Sequence, residues 1–304
     1  MKLIEFTPEL YLIPLDQNLP GFTSFISSWV YKGKNTFLVD VGPAATIPVL
    51  LKSLESLGIW HLDAVLLTHI HIDHAGGTGD LAESFPDVPI ICHEKGIQHL
   101  IDPSRLWQGS LKILGQTAQA YGPFRPVSRK MLYNAARYHT DKIIPILTPG
   151  HAPHHVSYLL GPYLFAGEAG GVYLDIFGDD FYLRPATPPR FDLETSIKSI
   201  DDLIAQNPSV ICYGHFGMNK NALNMLKAHR KQLLFWRNII EDQMVHFSGP
   251  EDEDFLNAAL QCLLKHDPFL KGFFHMDEAV QHRERGFLKN SIKGFTGYLG
   301  SIHK

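Results

Sequence analysis

The chain has 304 residues, of which 45% are hydrophobic and 19% charged, and its formal net charge is −4. This composition is ordinary for a soluble globular enzyme, and the length allows one large α/β domain with a further segment. The slightly acidic balance provides no basic field, which disfavours a nucleic-acid-binding protein. No apolar run is long enough to cross a bilayer, and residues 1–9 lack a secretory pattern. Together with three isolated cysteines, these features predict a cytoplasmic protein.

Short strands and helices alternate in the predicted elements of the first half of the chain. Three β-rich runs are separated by turn residues, as is typical of hairpins: 3–15, 22–31 and 36–41. They are followed by a helix, a strand, a short helix and a strand: 46–57, 64–67, near 80–85, and 88–92. Residues 103–140 are predicted to form the helices of an insertion. Their apolar side chains are equally consistent with a role in bordering a cleft and with a role in only covering the sheet.

The second half changes from strands to helices at about residue 217. Its predicted strands are 142–148, 156–160, 163–166 and 210–213. Within this half of the chain, residues 182–191 are predicted to form a stiff, proline-rich loop. Beyond residue 217, apolar residues recur at helical spacing in three segments: 221–241, 251–265 and 277–299. We therefore predict a domain over 1–217 and a C-terminal helical appendage over 218–304.

The densest group of candidate metal ligands lies at residues 69–74. The sequence there is HIHIDH, directly after the apolar run 64–68 and just before Gly76 and Gly77. Imidazole and carboxylate groups are ligands for Zn²⁺, Fe and Mn²⁺, and a tight loop can direct them toward two adjacent ions. A solvated loop that is merely rich in histidine is the alternative. The preceding strand and the acidic residue within the loop favour a metal site.

This segment resembles the HxHxDH signature of the metallo-β-lactamase superfamily, which also follows a strand. Three further segments resemble family motifs, and each ends in a candidate ligand: His151 in the sequence TPGH, Glu168 after the strand 163–167, and His215 after the strand 210–213. The strand over 36–39 is followed by Asp40 and Gly42, which matches the family's Asp-x-Gly. In the family this aspartate supports the ligand loop from behind.

The resemblance implies an αββα sandwich with a dinuclear metal centre and a C-terminal helical extension. Two divalent ions are the implied cofactors, with Zn²⁺ first and Fe or Mn²⁺ as alternatives. The implied ligands are His69, His71 and His151 for one ion, and Asp73, His74 and His215 for the other, with Glu168 between them. The family usually has Asp at this last position. Because Glu is one methylene longer, Glu168 can bridge with altered geometry, bind one ion only, or leave the second site weaker.

Several residues are candidates for roles beside the ligands. Asp73 is expected to orient the attacking water or relay its proton, and Tyr173 either donates to an oxyanion or packs on the sheet. Arg184 either binds a substrate carboxylate or phosphate with its planar guanidinium or is an ordinary exposed or paired arginine. His154 could face the cleft, and His155 matches a structural histidine of glyoxalase II enzymes. The other histidines discussed are predicted at the surface or satisfied in the interior: His61, His93, His99, His139, His229, His246 and His266.

Three function classes fit these residues. The leading prediction is a hydrolase that uses metal-bound hydroxide to attack a small ester, thioester or lactone. The second is a dioxygenase similar to persulfide dioxygenases, with one iron held by two His and one Asp. The third is a binding or regulatory member of the fold with little turnover. The expected partner is a small-molecule substrate. Binding to nucleic acid or to a membrane is not expected, and a homodimer is possible.

One substrate is disfavoured by the resemblance itself. Glyoxalase II enzymes hold glutathione with basic residues of their C-terminal helices, where Lys289 and Lys293 match by location only. The Gly-Cys-Gly-Arg-like stretch expected after the bridging carboxylate is absent after Glu168. A glutathione thioester is therefore a weaker expectation than another ester, thioester or lactone.

Overall fold

The computed structural model describes residues 3–138, 140, 142–177, 180–188, 191–245, 247 and 252–302. The predictions for His139 and His246, and the second arginine of the proline-rich segment, Arg190, lie outside these residues. None of the helices in the described ranges combines the length and the hydropathy that a membrane-spanning helix requires.

Two sheets form the centre of the molecule. The first has seven strands in sequential order: β1 (Ile4–Thr7), β2 (Leu10–Pro14), β3 (Ser27–Lys32), β4 (Thr36–Val39), β5 (Ala64–Leu66), β6 (Ile90–Cys92) and β7 (Leu132–Asn134). Strands β1 to β4 are antiparallel, and β4 to β7 are parallel. The remaining strands are β8 (Ile143–Leu147), β9 (Val156–Leu160), β10 (Tyr163–Gly167), β11 (Val172–Phe177), β12 (Asp180–Arg184), β13 (Val210–Tyr213) and β14 (Met218–Asn219).

The second sheet is also mixed, in the order β14-β13-β10-β9-β8, and β11 and β12 form a separate hairpin. Strands β10 and β13 are parallel, whereas the other pairs are antiparallel. The carboxyl ends of β10 and β13 therefore lie side by side. Glu168 follows the end of β10 in the sequence, and His215 follows the end of β13.

The two sheets pack face to face around a shared apolar layer. Leu12 and Trp29 of the first sheet and Tyr158 and Phe165 of the second belong to this layer. On β2, Leu10 and Leu12 contribute to it, while the alternate residues Tyr11 and Ile13 belong to the core under the helices. This alternation is the two-residue period of a strand that is covered on both faces.

Ten helices in the described residues cover the sheets. They are α1 (Ile47–Ser56), α2 (Ile72–Ala75), α3 (Thr78–Ser84), α4 (Glu94–Ile101), α5 (Ser104–Leu114), α6 (Gln116–Tyr121), α7 (Leu193–Ala205), α8 (Ala222–Met244), α9 (Glu253–His266) and α10 (Glu278–Ile302), with a 3-10 segment at Pro268–His275. Asp192 and Asp252 cap α7 and α9 by accepting backbone N–H bonds from Thr195 and Asp254. The predicted αββα sandwich with C-terminal helices is confirmed.

The C-terminal helices are packed into the molecule. Trp236 of α8 and Phe295 of α10 are fully buried and belong to the same apolar cluster as residues of the first sheet. The buried Asp267 accepts hydrogen bonds from Trp236 Nε1 at 2.7 Å and from Gln232 Nε2 at 2.8 Å. The predicted apolar faces of these helices are therefore covered, while the division of the chain at residue 217 stays a prediction.

Two predicted elements are wrong. Residues 132–134 of the predicted helical insertion form strand β7, which pairs with β6 at the edge of the first sheet. The first three residues of the segment predicted as a stiff loop, 182–184, belong to strand β12 (Asp180–Arg184), which pairs with β11. The hairpin buries Tyr182 and Leu183 and contacts the 3-10 segment and α8. Gln232 of α8, which donates to the Leu183 carbonyl, is 49 residues away in sequence, so the prolines after Arg184 dominated the local pattern.

Candidate metal centre

The HIHIDH segment connects the end of β5 to α2 and includes the first residues of that helix. Thr68 to His71 form the connection, and Asp73 and His74 lie within the helix. Behind them, Asp40 has a φ of 56°, in the left-handed region that residues other than glycine seldom adopt. Such backbone strain persists only where the surrounding contacts fix it. Here those contacts are hydrogen bonds to the ligand segment itself.

Four side chains form the first cluster: His69, His71, His151 and Glu168. Each offers a donor atom, and these atoms lie within 4.8 Å of one another. Glu168 Oε2 lies 2.8 Å from His151 Nε2 and 3.2 Å from His69 Nε2. Nδ1 of His71 lies 3.0 Å from Nε2 of His151. Residues from the ends of β5 and β10 and from the turn before β9 therefore converge on one point.

Three side chains form the second cluster: Asp73, His74 and His215. Their donor atoms also lie within 4.8 Å of one another. Asp73 Oδ2 lies 3.7 Å from His74 Nε2 and 4.0 Å from His215 Nε2. His74 and His215 are buried, whereas Asp73 is partly exposed. The structure thus brings together all seven side chains that the sequence singled out as ligands.

Glu168 lies between the two clusters. Its Oε2 faces the first cluster, while its Oε1 lies 3.1 Å from Nε2 of His215 and its Oε2 lies 3.8 Å from Nε2 of His74. Gly167, just before it, has a φ of 56°, and a Cβ there would lie 2.4 Å from His155 Nε2. Glycine is therefore required for the turn that aims Glu168.

Hydrogen bonds fix the ring orientation of three ligand histidines. Asp40 accepts from the Thr68 N–H, from the Thr68 hydroxyl and from His74 Nδ1, each at 2.8 Å. The Thr68 hydroxyl in turn accepts from His69 Nδ1 at 3.0 Å. His151 Nδ1 donates to the main-chain carbonyl of Ala186 at 2.9 Å. When the imidazole is neutral, each bond leaves Nε2 without a proton and directed into its cluster, as a metal ligand requires.

The loop that carries Ala186 is tied to α10. The Thr187 hydroxyl donates to the Ser291 carbonyl at 2.8 Å, and the Ser291 hydroxyl donates to the Pro185 carbonyl at 3.1 Å. Thr187 and Ser291 are both buried. The C-terminal helix therefore holds the acceptor that orients His151.

His155 has the structural position predicted for it. Its Nε2 accepts from the Glu168 N–H at 3.1 Å, and its Nδ1 donates to the Thr148 hydroxyl at 2.8 Å. The Thr148 hydroxyl also contacts the Ser157 hydroxyl at 2.9 Å. His155 thus joins the backbone of β10 to the segment that carries His151.

Burial, buried carboxylates and neighbouring imidazoles shift the pKa values at this site in opposite directions. Burial, followed by the charges of neighbouring imidazoles, holds the pKa of His69 and of His71 well below the usual value. Burial opposes ionisation of Glu168, but His151 and His215 outweigh it and hold its pKa well below the usual range. Burial likewise lowers the pKa of His74, but Asp73, Asp40 and Glu168 outweigh it and raise this pKa to about 10.

The donor set fits divalent metal ions. Nε2 of His69 and Nε2 of His74 are buried without a hydrogen-bond partner among the described residues, although carboxylate oxygens lie within 4 Å of both. Leaving such atoms unpaired is costly, and a bound cation would satisfy them. The two His/Asp/Glu clusters are consistent with a dinuclear metal site. Nitrogen and oxygen donors without thiolate suit Zn²⁺, Fe or Mn²⁺ and do not choose among them.

Tyr173 does not have the catalytic role predicted for it. Its ring stacks on Tyr213 with centroids 4.6 Å apart and also on Phe181 at 5.6 Å. Burial, with Asp175 beside it, raises the pKa of its hydroxyl to about 12, and that hydroxyl is hydrogen-bonded to Asn219 and Asp175. The alternative prediction, an aromatic side chain packed on the sheet, describes it.

Arg184 is an internal ion-pair partner and not an open anion-binding group. It is 3% exposed, and its Nε lies 2.5 Å from Glu284 Oε2. Glu284 is fully buried on α10 and also accepts from the Tyr182 hydroxyl at 3.0 Å. The prediction of substrate binding by Arg184 is corrected for this reason. Sequence could not show it, because the partner is 100 residues away.

His154 lies on the open side of the first cluster. It is partly exposed, and its ring centroid is 5.6 Å from that of His71. Burial, then the neighbouring His151, lowers its pKa to about 4, so its imidazole is neutral at physiological pH. Its Nδ1 has no partner among the described residues. The prediction that it contacts substrate stays open.

Two other side chains, Tyr121 and Lys289, have contacts that the sequence did not predict. Tyr121 of α6 is buried close to Asp73, since burial and then the Asp73 charge raise its pKa well above the usual value. Helix α6 of the insertion, which also contacts α2, therefore lies beside the second cluster. Lys289, named for its location on the C-terminal helix, pairs with Glu253 at 2.8 Å.

Known proteins resemble this chain in sequence. The profile of the metallo-beta-lactamase superfamily matches residues 21–215. A metallo-beta-lactamase fold-containing protein of Sulfurisphaera tokodaii is 27% identical over 211 residues, which cover 66% of this chain and 75% of that protein. A hydroxyacylglutathione hydrolase of Salmonella paratyphi A is 30% identical over 144 residues, which cover 46% of this chain and only 45% of that enzyme.

Solved structures share the fold. A metallo-beta-lactamase superfamily protein of Sulfolobus tokodaii superposes with a TM-score of 0.62 at 24% identity, over 75% of this chain and 87% of that chain. A metallo-beta-lactamase family protein of Thermus thermophilus gives a TM-score of 0.62 at 21% identity, over 93% of this chain and 95% of that chain. Since the profile match runs from before Asp40 to His215 and spans every cluster residue, the chain belongs to the metallo-beta-lactamase superfamily.

Proposed function

We propose that the protein is a metal-dependent hydrolase of a small carboxylic ester, thioester or lactone. The observation that carries this proposal is the position of Glu168 between two complete clusters of nitrogen and oxygen donors. Two divalent cations, when bound in such a site, lower the pKa of a bound water and polarise the carbonyl under attack. Everything else that the reaction needs has to come from side chains of the chain itself.

The side chains divide into buried and accessible groups. His69, His74 and His215 are buried, whereas His71, Asp73 and His151 are partly exposed. A substrate therefore approaches from the side of the exposed three. Asp73 on that side is proposed to orient a water and accept its proton, because its carboxylate is both accessible and within 4.0 Å of the second-cluster nitrogens.

His154 is proposed to contact the substrate. Its neutral imidazole lies beside His71, on the accessible side of the first cluster. A neutral imidazole can donate one hydrogen bond and accept another. It can therefore hold the oxygen of a leaving group or of an acyl chain without adding charge to the site.

The complete second cluster supports a dinuclear hydrolase over a mononuclear iron dioxygenase. A single iron needs only two His and one Asp, yet four further donors are buried or partly buried and preset here. The relatives named as hydroxyacylglutathione hydrolases support thioester hydrolysis, but the matched segment covers less than half of those enzymes. Glutathione thioesters are therefore included in the proposed substrate panel but are not the leading candidate.

The test combines metal analysis with a substrate panel. Protein purified without added metal is analysed for Zn, Fe and Mn, and then assayed with thioesters, lactones, aryl esters and bis-p-nitrophenyl phosphate. We expect about two ions per chain and turnover of at least one carboxylic substrate. His71→Ala should lose most of the metal and all turnover, whereas the matched His61→Ala, whose side chain is 82% exposed, should retain both.

Other results would contradict the proposal in recognisable ways. One iron per chain with oxygen uptake would indicate the dioxygenase alternative. Two bound ions with no turnover of any carboxylic substrate would favour the binding or regulatory class. Full metal content in His71→Ala would show that His71 is not a ligand.

A further inference from the structure

His215 differs from the other buried ligand histidines in how its ring is held. His69, His74 and His151 each have a hydrogen bond on the nitrogen that points away from its cluster. Nδ1 of His215 is buried and has no such partner among the described residues. Metal-binding histidines ordinarily have this second hydrogen bond, because it fixes the orientation of the ring. Something else must therefore restrain the ring of His215.

An aromatic ring restrains the His215 imidazole in place of a hydrogen bond. The Phe25 ring stacks on the His215 imidazole, with centroids 4.4 Å apart and an angle of 28° between the planes. The same segment also holds the backbone of His215, because the Ser27 hydroxyl donates to its carbonyl. Phe25 is 1% exposed. Residues 25–27, at the start of β3, thus restrain both the backbone and the ring of this ligand.

Phe25 is in turn packed by α10. The Phe287 ring stacks on it at a centroid distance of 5.5 Å, and the guanidinium carbon of Arg283 lies 3.8 Å from its ring centre. These contacts exclude water from Phe25 and limit the positions its ring can take. Two residues one helical turn apart on the C-terminal helix therefore fix the ring that stacks on a ligand.

Buried charges hold those two residues in place. Both Arg283 and Arg184 bind the fully buried carboxylate of Glu284, Arg283 at 2.9 Å and Arg184 at 2.5 Å. Arg283 also donates to the Gly21 carbonyl, and the guanidinium carbon of Arg184 lies 4.8 Å from the Phe287 ring centre. Removing one member of such a group leaves another charge uncompensated, so the arrangement resists displacement.

We propose that α10 positions His215 through Phe25, and thereby sets the metal affinity of the second cluster. Phe25, Phe287 and Arg283 are positioning residues, since none of them is a ligand. This inference rests on the dinuclear centre of the proposed function. It goes beyond that proposal by assigning a metal-site role to a helix outside the matched family segment, residues 21–215.

The test measures the two stepwise Zn²⁺ affinities separately, by titration of the metal-free protein against a competing chelator. Phe25→Leu should weaken the affinity for the second ion about 10- to 100-fold and leave that for the first within about threefold, in line with other supports behind metal ligands. Phe287→Leu should weaken the second affinity by a smaller factor. Because Phe287 is partly exposed, this variant keeps the test informative if Phe25→Leu does not fold.

Phe255→Leu is the matched control. Phe255 is fully buried on α9 and packs edge-on against Phe247, and no aromatic contact joins it to Phe25 or Phe287 among the described residues. It should lower the thermal unfolding temperature yet leave both Zn²⁺ affinities unchanged. A general loss of stability would affect all three variants, whereas the ratio of the two affinities changes only if ring packing acts on His215.

Three results would overturn the inference. Unchanged second-ion affinity in folded Phe25→Leu would show that the stack does not position His215, and the proposed hydrolase would stand. Equal weakening of both ions would show a non-selective structural effect. A wild-type protein that binds a single Zn²⁺ ion would overturn the inference together with the dinuclear centre.

Discussion

The two clusters are supported in different ways. In the first, His69 is oriented by the hydroxyl of Thr68 and His151 by the main-chain carbonyl of Ala186, so polar partners hold both rings. In the second, His74 has the carboxylate of Asp40, but His215 has the ring of Phe25. Hydrogen bonds specify direction, whereas a stacked ring specifies only a plane.

The difference shows how far each cluster depends on the rest of the chain. Asp40 and Thr68 lie within the sandwich, so His69 and His74 are held by residues close to the ligand segment. His151 and His215 both depend on α10, the first through the loop at Thr187 and the second through Phe25. The C-terminal helix thus reaches each cluster by a separate route, and these routes can be broken one at a time.

The largest effect is expected from removing both routes together. Deletion of residues 221–304 removes α8 to α10 and exposes the apolar surface that Trp236 and Phe295 now cover. We expect insoluble or inactive protein, measured as soluble yield and as turnover on the substrate panel. A soluble truncation with full activity and two bound ions would show that neither cluster needs the helices.

Asp40→Asn should damage both clusters at once. Asp40 accepts three hydrogen bonds, and asparagine tolerates the left-handed backbone but lacks the charge that His74 and Thr68 share. We expect loss of both ions and a decrease of about 3 kcal/mol in the free energy of unfolding, measured by metal analysis and urea titration. Asp63→Asn is the control, because Asp63 binds the Thr36 N–H, Asn35 and His61, none of which belongs to either cluster, and its metal content should be normal.

Glu168→Gln distinguishes a shared ligand from a ligand of the first cluster alone. The amide removes a negative charge from between two cation sites, so the second ion should be lost first. Glu168→Asp should be milder but still impaired, because the carboxylate retracts by one methylene. Two ions bound to the Gln variant with unchanged affinity would place Glu168 outside the metal-binding set.

Thr187→Val should give the smallest effect and should act on the first cluster. The change removes the hydrogen bond to the Ser291 carbonyl and loosens the loop that presents the Ala186 carbonyl to His151. We expect a several-fold weaker first Zn²⁺ affinity with the second unchanged, the reverse of Phe25→Leu. In the control Thr296→Val, a buried hydroxyl that bonds only within α10 is lost, and both affinities should be normal.

The sequence predicted the parts of the site that are local. The ligand segment, the turn at His151 and the residues after β10 and β13 were all marked by strand-end positions, and the structure brings them together. Asp40 was found in the same way, from its place after β4. Family resemblance and strand periodicity were sufficient there, because each ligand directly follows the element that positions it.

The sequence did not predict contacts between distant segments. Arg184 could not be distinguished as a substrate-binding or a paired arginine, because its partner Glu284 is on a helix 100 residues later. Phe25 had no pattern to connect it with His215, and Tyr173 could not be distinguished as a packed ring before Tyr213 was seen against it. In each case the deciding contact is between side chains, which periodicity does not describe.

The hydrogen bond from His151 to Ala186 has a consequence for mutational tolerance. Its acceptor is a main-chain carbonyl, so the identity of the side chain at 186, which is partly exposed, does not create or delete it. The position can drift in evolution while the ligand keeps its orientation, provided that the path of the loop is preserved. Asp40 has no such freedom, because its side chain is itself the acceptor. Variation among natural sequences should therefore be wide at 186 and narrow at 40, although both residues orient a metal ligand.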